Sequence, residues 1–514
     1  MIHITVSQLH ASDFNNFTDA AASLSGTYTE EVRVECLDKE TYDEAGIDWT
    51  GANFESGGWL HIVGSYDGDG RTTLTNSSFE SNIFYMHNRV EVEGIKFDIS
   101  ASYDHTVKSI VCISFDSPNT TYSKIHECQF FGNGIYRAQL SPSYYERGTI
   151  AVYWGSVADP SDEKYFYNNL VDNMGYYAAE LKEGSVAYFY NNTFSRNKQV
   201  LYWHGPVNSD AKIWNNIFIT DPSYHDSIAP WDVKFSVIQQ IDDYWPDDFG
   251  FVDYNLYQFL NRESATGKCY IWTRYWDDEL SLIDLNEFQS KYPGSEINGI
   301  EEDPLLLDYP TDLHIVDSNS PALASGYSVI PSIDNDGDSR GGELDIGCYK
   351  LMDVVEYFFV GDTNSSWGDS DNWSDTSGGS GGFGIPGEMN RAVFDSNSPV
   401  CTVDADVDCL EIRLEDDFAS SIDIANNDIN VLNFSINHGG VIKYDGSASI
   451  IVRGIFINNG TIITSTGAPF VSAAMINNGI VIPPILEGVQ RSPRANDKQV
   501  YESKLEARAS IKPY

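Results

Sequence analysis

The sequence predicts an all-β chain built as a parallel β-solenoid, and two observations carry that prediction. An aromatic–Asn–Asn–apolar stretch recurs as "YNNLV" (167–171), "YNNTF" (190–194) and "WNNIF" (214–218). A second motif recurs nearer the C-terminus as "INHGGVI" (436–442), "INNGTII" (457–463) and "INNGIVI" (476–482), spaced 21 and 19 residues apart. Repeats of roughly 20–25 residues, carrying short alternating strands with insertions at the turns, are how stacked β-coils read.

The first repeat aligns on its last apolar residue with "NSSF" (76–79), "EGIKF" (93–97), "HECQF" (126–130) and "YNLY" (254–257), the closest spacings being 18, 23 and 24. No coil can bury its own apolar face, so each stacks on the next. In-register stacking sets Asn above Asn, where amides bond along the axis and tolerate a left-handed turn. Ladder and turn duty therefore accounts for the Asn pairs. Before the coils, Phe14, Phe17, Ala21 and Leu24 recur at helical spacing with Ser12 as N-cap, predicting a short helix over the first coil's open edge. The second repeat places Asn-Gly turns between Ile/Val strands and predicts a smaller β-repeat, solenoid or sandwich-like.

Composition bounds the function. Of 514 residues, 41% are hydrophobic, enough for sizeable cores. Net charge is −45, which disfavours nucleic acid and anionic membranes. No apolar run approaches the ~20 residues that span a bilayer, and "MIHITVSQLHASDF" has no signal-peptide pattern. The seven widely spread cysteines lack metal spacing and read as buried thiols. Residues 484–514 differ in kind, with six Lys/Arg against four Asp/Glu; the remainder has 25 against 72. Arg491, Arg494, Lys498, Lys504, Arg508 and Lys512 make this tail either a disordered end or an assembly arm for an acidic neighbour. The expected organisation is an N-terminal strand and helix (1–30), a first solenoid (31–352), a second β-repeat (353–483) and the tail (484–514).

Chemistry has few candidates. "QQIDDYWPDDFG" places Asp242, Asp243, Asp247 and Asp248 beside Tyr244 and Trp245, a pairing that suits sugar hydroxyls and ring faces, or simply an acidic loop. "LYWHG" sets Tyr202, Trp203 and His204 after a coil strand, within reach of Asp172 and Glu180 on nearby coils, as groove lining or stacking. "YYERG" carries Glu146 and Arg147 as an exposed ion pair. "DNDGDS" alternates Asp334, Asp336 and Asp338 around Gly337, like half a calcium loop. An Asx-bonded turn is the competing and favoured reading there. Calcium is the one cofactor these residues suggest.

Residues 303–350 resemble the closing stretch of the pectate-lyase-like superfamily of right-handed parallel β-helices. The resemblance rests on Asp303, Pro304, Leu313, Ser320, Pro321, Ala322, Gly326, Asp334, Asp336, Gly337, Arg340, Asp345, Ile346 and Gly347. It implies a right-handed parallel β-helix whose coils end there, and leaves activity open, since lyases, hydrolases and structural proteins share the fold. "GDTNSSWGDSDNW…GIPGE" resembles the opening of β-modules in bacterial surface and phage proteins. Together these features resemble bacteriophage tailspike, fibre and capsid decoration proteins. That resemblance implies a virion protein made in the host cytoplasm, trimeric by analogy, contacting other virion proteins through its tail and cell-surface polysaccharide elsewhere. The rival expectations are a polysaccharide lyase or glycoside hydrolase acting in the groove, and an extracellular adhesin.

Overall fold

The computed structural model describes residues 1–482 except 56, 68–69, 78–81, 87–88, 101–109, 116–121, 139–145, 156–162, 182–185, 204–210, 222–225, 228–232, 241–250, 261–262, 265–266, 275–276, 283, 309–311, 316–318, 329–330, 342–343, 352–353, 388–389, 425–426, 438, 445–448, 465–469 and 478–479. The chain separates into two compact units, Met1–Asp353 and a second beginning at Val354.

The first unit is a parallel β-helix with three sheets. A single coil runs Glu163–Tyr167, Leu170–Asp172 and Tyr177–Leu181, one strand per sheet. The next runs Val186–Tyr190, Thr193–Ser195 and Gln199–Trp203, in parallel register throughout. Sheet I begins at Ile2–Val6 and ends at Phe251–Asp253, sheet II spans Thr41–Asp43 to Ile300–Glu301, and sheet III spans Ile47–Asp48 to Gly267–Arg274. Alternation sends every second residue inward. There like stacks on like, as with Phe97 on Phe130 at 5.0 Å and Phe194 on Phe218 at 5.3 Å.

The Asn pairs make the corner between sheets I and II. The first Asn of each pair, Asn168, Asn191 or Asn215, takes φ of 53–57°, a left-handed turn that Asn tolerates. The second turns inward and is fully buried. Asn169 donates to Asn192 Oδ1 at 3.1 Å, Asn192 to Asn216 Oδ1 at 2.9 Å, and Asn216 to Asn255 Oδ1 at 2.9 Å. Each amide also donates to a main-chain carbonyl of the preceding coil, Phe166 O for Asn192 and Phe189 O for Asn216. In sheet II the register pairs Leu74 with Phe97, so "TLT" rather than "NSSF" is the coil equivalent. The true spacing there is 23 residues rather than 18, and Phe79 lies outside the described residues.

Helix Phe17–Ser23 closes the N-terminal end, burying Phe17, Ala20 and Ala21. Its N-cap is Asn16, whose Oδ1 accepts from Asp19 N at 2.7 Å, and not Ser12. Ser12 donates to Phe14 O at 2.8 Å, and Phe14 forms a parallel bridge with Val6. The chain there is still extended, which moves the helix start past Ser12. A second helix, Leu285–Lys291, capped by Asp284, buries Leu285 and Phe288 in the same core.

The segment 303–351 follows the last coil strand, Ile300–Glu301, in keeping with the expectation that the coils end there. It runs back along the corner as a strap. Tyr327 N donates to Asn215 Oδ1, Asn191 Nδ2 to Asp345 O, and Asn335 Nδ2 to Asn168 O and Cys128 O. Arg340, 1% exposed, donates to Asn168 Oδ1 and Gly347 O. Ile315, Ala322 and Ile346 cover the outward Ile217, Ile219 and Leu256. The strap thus spans at least four coils.

The second unit is a two-sheet parallel solenoid. One sheet stacks Val355–Phe359, Asn390–Phe394, Val407–Leu414, Ile429–Ile436, Ile450–Asn458 and Phe470–Asn477; the other stacks Cys401–Val403 through Ile480–Ile482. The Gly/Ser/Asp-rich opening is an ordered cap. Trp367 and Trp373 are buried at 4.7 Å, with Trp373 Nε1 donating to Trp367 O, while Asn372 Oδ1 accepts from Thr363 and Asn364. The repeats "INHGGVI" and "INNGTII" are out of step by one. Ile436 pairs with Asn458, and Ile457 with Ser435. The strand irregularity between Val431 and Phe434 absorbs the extra residue, and a one-residue slip exchanges faces.

Candidate functional site

Sheet I presents its outward residues in two columns, because strand residues two apart share a face. One column reads His3, Arg33, His61, Glu91, Lys124, Tyr165, Tyr188 and Lys212. The other reads Glu35, Val63, Glu93, His126, Tyr167, Tyr190 and Trp214. The face is therefore ionic over its early coils and aromatic over its later ones.

The ionic part is closed on itself. Glu93 accepts from His61 at 2.9 Å and Tyr66 at 3.3 Å, and Glu91 from His126 at 2.9 Å, with Lys124 at 3.8 Å. His126 also lies 3.4 Å from Glu127, which accepts from the Tyr66 hydroxyl. Burial penalises charge on Glu91 and Glu93, yet the histidines hold both below the usual carboxylate range. Burial lowers His126, but Glu127 and Glu91 reverse this and lift it to about 9. Glu91 and Glu93 are thus held ionised among cations and donors, a charged staple across coils rather than an acid/base pair of separated pKa values.

The aromatic part divides in two. In the second column, rings lie plane to plane: His126 on Tyr167 at 4.7 Å, Tyr167 on Tyr190 at 4.7 Å and Tyr190 on Trp214 at 4.4 Å, all within 9°. Neighbours consume their faces. Trp59 and Tyr122, at the strand starts beside the first column, are different. Trp59–Tyr122 and Tyr122–Tyr165 are tilted by 50° and 54°, and each ring is half-buried. Lys124 Nζ sits 5.1 Å from the Trp59 ring and 5.6 Å from Tyr122. Beside them Glu163 accepts from Tyr165 at 2.7 Å and Tyr188 at 3.2 Å. Tilted rings, phenols, a carboxylate and a lysine on one rigid face are the groups that bind hydroxylated rings.

The residues selected from sequence lie elsewhere. Trp203 is wholly buried, edge-on to Phe189 at 6.1 Å, and Tyr202, 5% exposed, stacks on Tyr177 at 4.0 Å. Neither offers a ring face to solvent, because both strand faces are covered here. Asp172 is buried against Arg196 and not open to a groove. Glu146 and Arg147 form a short strand with 135–138. His204, Asp242, Asp243, Tyr244, Trp245, Asp247, Asp248 and the tail residues Arg491, Arg494, Lys498, Lys504, Arg508 and Lys512 lie outside the described residues.

The aspartates of "DNDGDS" are divided among different partners. Asp334 Oδ1 accepts from Asp336 N at 3.1 Å and Asp338 N at 2.9 Å, an Asx-bonded turn. Asp336 pairs with His314 at 2.5 Å, and Asp338 lies 3.8 Å from Lys350. Among the described residues no three His, Cys, Asp or Glu side chains are grouped to hold a metal ion. The tilted aromatic patch was missed, although "YSKIH", "EKYFY" and "VAYFY" alternate outward and inward positions ahead of each corner. Comparison with family models, curated proteins and solved structures gives no match to this chain.

Proposed function

We propose that this chain is a virion-surface structural protein of the bacteriophage type that attaches to host-surface glycan through sheet I. The single observation behind this reading is the half-buried, tilted row Trp59, Tyr122 and Tyr165 with Lys124 and Glu163 beside it. Support also comes from the architecture. Opening one coil breaks its contacts with both neighbours, so a stacked solenoid resists proteases and shear outside a cell. The basic tail serves in this reading as the arm that joins an acidic neighbouring virion protein.

Binding of host capsule or lipopolysaccharide fragments, followed by tryptophan fluorescence, tests the proposal. Trp59→Ala and Tyr122→Ala should each weaken binding about tenfold, the order of ~1–2 kcal/mol for a stacking ring, with melting temperature nearly unchanged. Equal binding by wild type and both variants removes the proposal. Polymer length before and after incubation separates attachment from the lyase or hydrolase alternative, which requires shorter fragments.

A further inference from the structure

Given attachment through sheet I, on which this rests, we infer that Glu163 is a specificity-determining residue that accepts two adjacent hydroxyls of an electrically neutral pyranose glycan. Glu163 opens its strand in register with Tyr122 of the preceding coil. Its two carboxylate oxygens take separate partners: the Tyr165 hydroxyl donates to Oε2 at 2.7 Å and the Tyr188 hydroxyl to Oε1 at 3.2 Å. An ionised carboxylate offers about four lone-pair sites, two on each oxygen. One site on each oxygen is therefore filled, and among the described residues no cation pairs with Glu163. Each oxygen keeps one acceptor site, side by side, on a half-buried group fixed by two phenols. Two neighbouring O–H donors on one sugar ring match that pair as charge-assisted hydrogen bonds.

Charge narrows the ligand further. Lys124 Nζ lies 5.6 Å from the Tyr122 ring and Lys212 Nζ 5.7 Å from the Tyr188 ring, so ammonium groups stand over tyrosines on the coils before and after Glu163. A cationic ligand meets those ammonium groups. An acidic sugar sets its carboxylate against Glu163, within the field of a chain at −45. Lys124 offers such a sugar little, since Glu91 already lies 3.8 Å from it and the Trp59 ring 5.1 Å. Uncharged hydroxyls avoid both penalties. The tilted rings of Trp59 and Tyr122 take the apolar face of the glycan while Glu163 takes its hydroxyl edge, so orientation and class are read together.

Fluorescence titration of the full chain with neutral hexasaccharides (maltohexaose, cellohexaose and mannohexaose) and with hexagalacturonate tests this. At least one neutral probe should bind, about tenfold or more tighter than hexagalacturonate. Glu163→Gln keeps the shape but halves the acceptor sites, and should weaken neutral binding about tenfold with melting temperature unchanged. Methyl ethers of the bound probe lack hydroxyl donors, and wild type and Glu163→Gln should bind them equally weakly. Three results would overturn the role of Glu163 and leave attachment through the rings standing: hexagalacturonate bound as tightly as the neutral probe, the methyl ether bound as tightly as its parent, or Glu163→Gln binding like wild type while Trp59→Ala does not. If wild type binds none of the probes, attachment and ligand class fall together.

Discussion

The two solenoids solve one problem, closing a stack of coils, by different means. The first uses three sheets, corners built on Asn pairs, insertions between coils and a strap whose partners lie up to 264 residues away in sequence. The second uses two sheets, coils of about 20 residues, and a cap built around Trp367 and Trp373. Among the described residues it has no strap. Irregularity in the first accompanies the outward patch of rings and charges, whereas the second departs from regularity only by single-residue slips among its described strands. The patch of the first unit sits on strand faces of sheet I, where the stacked scaffold fixes its rings and charges in register.

Breaking the corner should separate the two units most clearly. Asn192→Leu deprives Asn169 N and Nδ2 of their acceptor and removes the amide donor to Phe166 O inside the core. With ~1–3 kcal/mol for each orphaned group, the first unit should lose roughly 3–5 kcal/mol. Calorimetry should show its transition falling while that of the second unit stays in place. A smaller loss is expected from the strap. Asn335→Ala removes the acceptor of Gln129 and the donor to Asn168 O and Cys128 O, at a cost of about 2–4 kcal/mol by the same reasoning.

pH sharpens the contrast. Glu296 ends the amide ladder, fully buried, accepting from Asn255 Nδ2 at 2.7 Å and from the Tyr257 hydroxyl. Burial raises its carboxyl to about 8. The folded state therefore holds a proton that the unfolded chain releases above its ordinary range near 4.5. The first unit should lose stability from about pH 4.5 to pH 8, by at most ~1.4 kcal/mol per pH unit for this one proton. Glu296→Gln should flatten that slope in pH-dependent denaturant melts. His126, raised to about 9, adds a loss in the same direction above its ordinary value near 6.5. Glu356 of the second unit behaves oppositely. Despite partial burial, Arg391 and Arg413 hold its carboxyl low, so its contribution is present above the ordinary glutamate range and lost in acid. The smallest effect belongs to Arg391→Ala. Its partners Glu356 and Glu411 remain partly exposed, and the change should cost ~1 kcal/mol or less in the second transition.

The legible part of this molecule was its period. Tyr–Asn–Asn repeats revealed the coils because stacking demands like residues above like, and that demand is written locally. The strap was not legible as a strap. Asn335 and Arg340 sit in a turn-rich stretch whose partners, Asn168 and Arg71, cannot be read from spacing. The second helix carried a weak signal in "DLNEFQSKY", an N-cap before Leu285 and Phe288 three apart, too short to stand out against the strand pattern around it. Trp203 resembled a groove residue because an aromatic in a strand gives no sign of which face is covered. The tilted patch needed register, since Trp59, Tyr122 and Tyr165 become neighbours only when four coils stack.

The account depends on coils piled in order along sheet I. His3 and Lys212, both exposed, stand 209 residues apart in sequence but seven strand steps apart in one column. At roughly 4.8 Å per step, their Cα atoms should lie about 34 Å apart. Double electron–electron resonance between nitroxides on His3→Cys and Lys212→Cys should give one narrow distribution near that distance. A broad distribution, or a narrow one centred well away from it, would contradict the stacked architecture.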